Sequence, residues 1–485
     1  AYDSRRGSRD FATEAALVLC ANGVSAKLFD ALRPVPILSF ALRHLDCAAG
    51  IVITASHNPP QYNGYKVYGE DGAQLGPEAA KGVMEEIQRI SYKEALPMNE
   101  VLAMEKGLLE IIGNEQVDDV YMEKLKTLCI QPQMLEEKGK NLAIVYTPLH
   151  GSGNIPVRRI LREVGITRVS VVPEQELPDP DFSTIEVPNP EDPKAFALAI
   201  ALANQIGADV VFGTDPDCDR VGVGVRNKEG EFQLLTGNQI GCLLLHYILD
   251  ERKKAGKLPI NSAAIKSIVT TQMAQRICDD YGVTLFNTLT GFKFIGELIE
   301  KFEETKEYVF QFGFEESYGF LSSTFVRDKD GVNAAMLIAE LAVACQQEGI
   351  TLYDRLQELL KRYGYHEEHV VSKTLPGKDG VEKIQQIMTK LRTSPPTHFG
   401  EFGVTAVRDY QTGVRKERKS GEEIAMGLPE SDVLYYELEK DAWCCIRPSG
   451  TEPKIKLYIN TCASTAEEAA RQNKGLKEAA EALFI

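Results

Sequence analysis

Ile51-Val52-Ile53-Thr54-Ala55-Ser56-His57-Asn58-Pro59-Pro60 opens as a short apolar, β-branched run and closes as a polar turn. The first three residues read as the end of a buried strand, and Asn58-Pro59-Pro60 stops it. A hydroxyl, Ser56, and an imidazole, His57, are thereby set on a rigid loop at a strand end. A serine held this way can accept and donate a group once something activates it. Ser and Asn also commonly bond only the backbone of their own turn, and this stretch alone leaves both readings open.

The same grammar recurs. Residues 1–365 read as three strand-and-helix units, each with a short apolar strand emptying into a polar loop, at 54–60, 213–220 and 313–320. Strands are expected at 51–55, 64–68, 142–146, 169–172, 208–212, 264–270 and 308–312. Helices are expected at 10–21, 35–45, 76–90, 115–128, 154–164, 192–206, 272–281, 294–302 and 331–347, and the charged stretch 136–140 reads as a linker. From about His366 the pattern changes to helices at 380–392 and 466–483 flanking strands within 402–461. The fold class this predicts is α/β, with three doubly wound-like α/β domains around a cleft and a smaller C-terminal α+β domain. The boundaries expected are 1–140, 141–257, 258–366 and 367–485.

Composition narrows the function classes. The chain has 485 residues, of which 44% are apolar and 26% charged, an ordinary globular balance that suits three or four domains. Its net charge of −16 argues against nucleic-acid and anionic-membrane partners, which require a positive footprint. An anionic substrate would then need a locally basic cleft. Ten scattered cysteines with no CxxC fit reduced thiols used in packing. No apolar run has membrane-spanning length and no signal peptide is evident, so a cytoplasmic enzyme is expected.

Gly213-Thr214-Asp215-Pro216-Asp217-Cys218-Asp219-Arg220 is the most specific motif. Alternation in an extended loop puts Asp215, Asp217 and Asp219 on one side. Three converging carboxylates need a cation, and all-oxygen ligation suits Mg²⁺. An EF-hand is excluded, because Arg220 and Arg226 occupy its sixth and twelfth positions. A phosphate oxygen on Ser56 could complete the ligand set. The competing reading is three solvated turn aspartates. Cys445-Ile446-Arg447-Pro448-Ser449-Gly450-Thr451-Glu452-Pro453-Lys454 combines a guanidinium, two hydroxyls and a glycine, a mix suited to a phosphate dianion and also to a polar hairpin turn. Gly313-Phe314-Glu315-Glu316-Ser317-Tyr318-Gly319 offers acceptors and a hydroxyl that could hold sugar hydroxyls, or form a charged turn. Lys66 could return to the Ser56 site or be a solvated charge, and His57 and His150 carry weak signals alone.

Together, TASHNP at 54–59, GTDPDCDR at 213–220, GFEESYG at 313–319 and RPSGTEPK at 447–454 resemble the phosphohexomutase (phosphoglucomutase/phosphomannomutase) superfamily in order and spacing. The EES form and the TPLHGSG and TLTGFK segments look most like its phosphoglucomutase-2-type branch, some members of which act on phosphopentoses. The resemblance implies that Ser56 is a phosphoserine and that Asp215, Asp217 and Asp219 bind Mg²⁺ with it. It also implies that Glu315 and Ser317 grip sugar hydroxyls, and that Arg447, Ser449, Gly450 and Thr451 hold the non-transferring phosphate. Lys66 and His57 match positions beside the phosphoserine, with Lys66 the candidate general acid/base; Arg220 and Lys293 match cleft positions. The implied activity interconverts glucose 1-phosphate and glucose 6-phosphate, with glucose 1,6-bisphosphate as intermediate and activator and sugar phosphates as partners. Phosphopentomutase and phosphomannomutase are the alternatives within the class; a phosphatase and a non-catalytic sugar-phosphate binder are those outside it. The family pattern also implies a GT[SA]G-type segment ahead of Tyr2-Asp3-Ser4-Arg5, supplying a strand and an arginine that this sequence does not contain.

Overall fold

Strands form where the short β-branched runs fall. β1 (Ala26–Phe29), β2 (Ala49–Ile53), β3 (Tyr65–Gly69) and β4 (Leu109–Ile112) come first. β1 and β4 pair in parallel. β2 and β3 pair antiparallel, with Val52 opposite Lys66. Tyr2 bridges in parallel to Ile53, so the first residues run along β2. Ala12, Ala16 and Cys20 recur every fourth residue on the helix Ser8–Ala21 and pack with Leu28, Ile53 and Leu109.

β5 (Ala143–Thr147), β6 (Arg168–Val171), β7 (Val210–Thr214), β8 (Val221–Arg226) and β9 (Phe232–Leu234) make a sheet in the order β6-β5-β7-β8-β9. Its first three strands are parallel and the last two antiparallel. Every residue of β7 is buried, as expected of a strand covered on both faces. β10 (Ser262–Ser267), β11 (Thr284–Thr288), β12 (Val309–Glu315) and β13 (Gly319–Leu321) form a third sheet in the order β11-β10-β12-β13. β10 and β12 are parallel, while β12 and β13 form a hairpin. The parallel pairs and covering helices make these α/β folds, finished by antiparallel edges.

β14 (Tyr365–Thr374), β15 (His398–Phe399), β16 (Phe402–Asp409), β17 (Val414–Glu417), β18 (Glu423–Ala425), β19 (Leu434–Leu438), β20 (Trp443–Pro448) and β21 (Lys454–Ala463) form an eight-stranded sheet. The order is β14-β21-β20-β19-β16-β17-β18, with β15 on β16, and every pair is antiparallel. Ile384 and Met388 of one helix and Leu476 and Ala480 of another close a core with Leu434, Tyr436, Ile446 and Leu457. This is the expected α+β part.

The computed structural model describes residues 1–91, 95–375, 378–449 and 453–484. They fall into two units: Ala1–Ser267, Cys278–Phe286 and Gly291–Arg355 in one, Ile268–Ile277, Asn287–Thr290 and Leu356–Ile485 in the other. All ten cysteines are free thiols. Among the described residues no helix is long and apolar enough to cross a membrane.

Two local expectations change, and one helix was not expected. The charged stretch 136–140 is not a linker: Pro132–Lys138 is a helix, started by Pro132 in its first turn and pinned by fully buried Leu135. The segment 313–320 is mostly strand, because Glu315 ends β12 and Gly319 begins β13. The helix Gly237–Lys254 carries no amphipathic signature, since it is buried nearly all round from Gly237 to Leu249. A capping box between Thr236 and Gln239 starts it.

Candidate active site

The first unit gathers its chemistry-bearing loops at strand ends. β2 ends at Ile53, and Ser56 follows in a left-handed conformation, φ 51°. Its Oγ donates to Asp215 Oδ2 at 2.8 Å and lies 3.2 Å from His57 Nδ1. β3 returns antiparallel beside β2, which brings Lys66 back to the same place. Lys66 Nζ is 2.9 Å from Asp217 Oδ2 and 3.8 Å from Asp219 Oδ2. A residue ten positions from the serine is thus a near neighbour through hairpin register alone.

The aspartate loop follows β7 and is held by its backbone. Cys218 N–H bonds Asp215 O at 2.9 Å, and Arg220 N–H bonds Asp215 Oδ1 at 3.1 Å. Val35 N–H donates to Asp217 O at 2.9 Å, and Ser152 donates its amide and its hydroxyl to Pro216 O. The helix Gly331–Gln347 starts against the loop: a Cβ on Gly331 would lie 2.7 Å from Cys218 O, so only glycine fits. One carboxylate oxygen each of Asp215, Asp217 and Asp219 can be chosen so that all lie within 4.8 Å of one another. All three residues are buried.

The electrostatics follow from that crowding. Burial, then the neighbouring Asp217 and Asp219 charges, pushes the Asp215 carboxyl well above the usual range. Burial acts the same way on Asp217, but Lys66, the Asp215 hydrogen bond and Lys329 outweigh it and hold this carboxyl low. Burial opposes the Lys66 charge, yet Asp217 and Asp219 raise its pKa overall. Oδ1 of Asp217 and Oδ1 of Asp219 are buried and have no hydrogen-bond partner among the described residues. Unpartnered buried carboxylate oxygens in an all-oxygen cluster are acceptors waiting for a cation, and hard divalent Mg²⁺ fits that donor set.

Arg220 leaves the loop and pairs through Nη1 with Glu191 Oε1 at 2.6 Å. Its backbone bridges to Gly319, joining the aspartate loop to the β12–β13 hairpin. Glu315, at the end of β12, accepts the Gly291 N–H at 2.8 Å. Burial and then Glu316 raise its pKa to about 7, against the pull of Lys329. Ser317 sits in the hairpin turn, and a Cβ on Gly237 would lie 2.1 Å from Glu316 O, so a helix start supports this turn closely. Lys293 lies in the first turn of the helix Phe292–Thr305, its ammonium 5.2 Å from the Phe294 ring centroid. His150 is a structural residue, bonded to Leu177 O at 2.9 Å and Thr184 Oγ1 at 2.8 Å.

In the second unit Arg447 lies at the end of β20, opposite Lys456. Ser449 N–H bonds Lys454 O at 2.7 Å and closes the hairpin. Gly450 and Thr451 lie outside the described residues.

The sequence reading missed one segment that the fold brings here. Lys329 Nζ is 3.1 Å from Asp219 Oδ2 and 2.9 Å from Asp328 Oδ1. Asp328 Oδ2 accepts from Tyr68 OH at 2.8 Å, and Asp330 caps the helix that begins at Gly331. Burial opposes the Lys329 charge, but Asp219, Asp328 and Glu315 raise its pKa well above the usual value. The available signal was Arg327-Asp328-Lys329-Asp330-Gly331, alternating charges at the mouth of an apolar helix.

Comparison with known proteins agrees along the chain. Models of the phosphoglucomutase/phosphomannomutase family match in order: α/β/α domain I at 1–94, domain II at 119–230, domain III at 236–363 and the C-terminal domain at 410–477. A phosphoglucomutase of Staphylococcus epidermidis is 37% identical over 459 residues, covering 95% of this chain and 82% of its own length. Among solved structures, Paramecium parafusin, a phosphoglucomutase, superposes with a TM-score of 0.70 at 16% identity, covering all of this chain and 87% of its own. Aspergillus fumigatus N-acetylphosphoglucosamine mutase, solved with GlcNAc-6P and magnesium, gives 0.55 at 14% identity, covering 98% and 99%. The chain belongs to the phosphoglucomutase/phosphomannomutase family, a group of enzymes that move a phosphoryl group within a sugar phosphate.

Proposed function

We propose that the chain interconverts glucose 1-phosphate and glucose 6-phosphate by carrying a phosphoryl group on Ser56. The observation that carries this reading is the Ser56 hydroxyl, 2.8 Å from Asp215 inside a buried triple-carboxylate cluster. Relatives named phosphoglucomutase support the sugar assigned.

Asp215, Asp217 and Asp219, with an oxygen on Ser56, are the residues that would hold Mg²⁺. Bound there, the ion would neutralise charge on the phosphoryl group. The chain's own groups do the rest. Phosphorylated Ser56 gives its phosphoryl to the free sugar hydroxyl: the Ser Oγ–P bond breaks and a sugar O–P bond forms, giving glucose 1,6-bisphosphate. The hydroxyl proton goes to a base, for which Lys66 is the candidate, with His57 alongside. Lys66 is paired and protonated in the resting site, so it gives its own proton to the leaving Ser56 oxygen and, once neutral, takes the proton of the sugar hydroxyl. After the bisphosphate turns over, Ser56 accepts the other phosphoryl group. Glu315, Ser317, Arg220 and Lys293 would orient the sugar. Arg447, Ser449, Gly450 and Thr451 would hold whichever phosphate is not moving. Phosphoryl transfer asks a protein chiefly for such positioning and charge neutralisation. We assign the phosphoserine to 1–140, the metal loop to 141–257, the sugar hairpin to 258–366 and the phosphate loop to 367–485.

The test is a coupled assay with Mg²⁺ and catalytic glucose 1,6-bisphosphate, run on glucose 1-phosphate, ribose 1-phosphate and mannose 1-phosphate. Glucose 1-phosphate should turn over fastest, and Ser56→Ala should give no turnover while keeping the wild-type circular dichroism. Faster pentose or mannose turnover would reassign the sugar, and stoichiometric release of free phosphate would indicate a phosphatase.

A further inference from the structure

We propose that Arg5, locked to Asp3, is the positioning residue that fixes the Ser56 loop for phosphoryl transfer. The inference rests on the reading of Ser56 as phosphate carrier. Arg5 is fully buried at its side chain, and beyond Asp3 the charges of Asp217 and Asp215 favour its protonated form. It spends its donors on the backbone of one loop. Nη1 donates to Pro59 O at 2.9 Å and to Tyr62 O at 3.0 Å. Nη2 donates to Ser56 O at 2.5 Å and also to Asn58 O. A planar guanidinium can serve carbonyls spread along a turn in this way; an ammonium, a compact charge on a flexible stem, cannot match that fork.

Asp3 completes the mould. Its Oδ2 lies 3.1 Å from Arg5 Nε, and its Oδ1 accepts the Arg5 N–H at 2.9 Å and the Ser8 hydroxyl at 2.7 Å. Oδ2 also accepts the Thr54 hydroxyl at 2.7 Å. That donation orients the Thr54 oxygen to accept the Ser56 N–H at 2.9 Å. Both backbone groups of Ser56 are therefore set from one ion pair, the amide through Thr54 and the carbonyl through Arg5. The Phe182 ring, with its centroid 5.0 Å from the guanidinium carbon, packs over the assembly.

This arrangement accounts for an otherwise unfavourable backbone. A non-glycine residue in the left-handed region is strained and persists only where its surroundings impose it. Ser56 is such a residue, at φ 51°. Relaxing it would swing Oγ away from Asp215, and a displacement of about 1 Å at a reacting atom can cost roughly 10²-fold in rate. Arg5 thus acts on the reaction through where it puts Ser56.

The experiment compares the full chain with Arg5→Lys, Arg5→Gln and Thr54→Val. Three readouts are used: amide hydrogen exchange of residues 54–62, phosphorylation of Ser56 by glucose 1,6-bisphosphate, and kcat with KM for glucose 1-phosphate. In Arg5→Lys we expect exchange at 54–62 to rise at least about tenfold with β5 and β7 still protected. We expect kcat to fall roughly 10²-fold, with KM within about threefold, because sugar and non-moving phosphate are held elsewhere. Thr54→Val, which removes the acceptor for the Ser56 amide at little change in volume, should lower kcat about tenfold, a loss of roughly one good hydrogen bond. If Arg5→Gln does not fold, Arg5→Lys and Thr54→Val still decide the matter. Unchanged exchange at 54–62 in folded Arg5→Lys, or a loss expressed in KM with kcat retained, overturns the proposal. Wild-type protein whose Ser56 takes no phosphate would overturn the mutase reading instead, and the exchange data would still report whether Arg5 holds the loop.

Discussion

Among the described residues, Asp217 and Asp219 each bury an oxygen without a donor, although Lys66 and Lys329 stand against the same two carboxylates. Arg220 Nε also approaches Asp219 Oδ1, at 3.8 Å, without hydrogen-bonding it. A divalent ion supplies what is missing. Mg²⁺ at a hundred times its Kd should raise the unfolding free energy by about 2.7 kcal/mol, measured by urea unfolding with and without chelator. Asp219→Asn should abolish that increment, and an equal increment in the variant would show that the ion binds elsewhere. Lys329 stands between Asp219 and Asp328, close enough to Glu315 to act on its charge. Lys329→Met should lower kcat by about 10²-fold or more, the usual cost of removing one preorganised charge from a buried site. Steady-state kinetics checks it, and a kcat within threefold of wild type would remove Lys329 from the mechanism.

At the scale of elements, the site depends on a few helix starts brought against turns. The Gly331 and Gly237 amino ends abut the aspartate loop and the β12–β13 hairpin, with no room for a side chain. One turn further along the second helix, a Cβ on Gly241 would lie 2.1 Å from Cδ2 of Phe314, which is buried in β12. Gly241→Ala gains about 1 kcal/mol of helix propensity but overpacks the contact, so the net expectation is a loss of about 1–2 kcal/mol, read from the urea midpoint. An unchanged midpoint would mean that helix and strand separate at little cost. The helix itself was not legible in the sequence because burial on all sides erases the amphipathic period. The helix at 331–347, bounded by a capping aspartate and a sharp change from charged to apolar residues, was legible to the residue.

The whole molecule consists of two units, and its single tryptophan, Trp443, is buried in the second. Trp443 fluorescence therefore reports on that unit. The same unit buries His366, whose imidazole is driven down to about 4 by burial and then by the Arg276 charge. Its unfolded value lies near 6.5, so the unfolded state binds the extra proton between those limits. Stability from this residue is complete above about pH 6.5 and is lost as pH falls toward 4, by on the order of 2–3 kcal/mol. In urea titrations followed by Trp443 fluorescence, His366→Gln should flatten that part of the pH profile. An identical slope in both proteins would mean that other groups carry it.

Local sequence order was enough for the class of fold, for the placing of most strands and helices, and for singling out Ser56 and the Asp215, Asp217 and Asp219 loop as candidates. Each of these is written in local order: an apolar run, a turn residue, a fixed spacing of carboxylates. Tertiary structure alone decided which distant charges join them. Lys329 reaches Asp219 across 110 residues of chain, and Arg5 reaches the carbonyls of 56–62 from the other end of an ion pair with Asp3. Hydrogen bonds to backbone carbonyls carry no pattern in the side-chain sequence. Burial, which makes those bonds strong and leaves two aspartate oxygens unpaired among the described residues, exists only once the chain has closed around them.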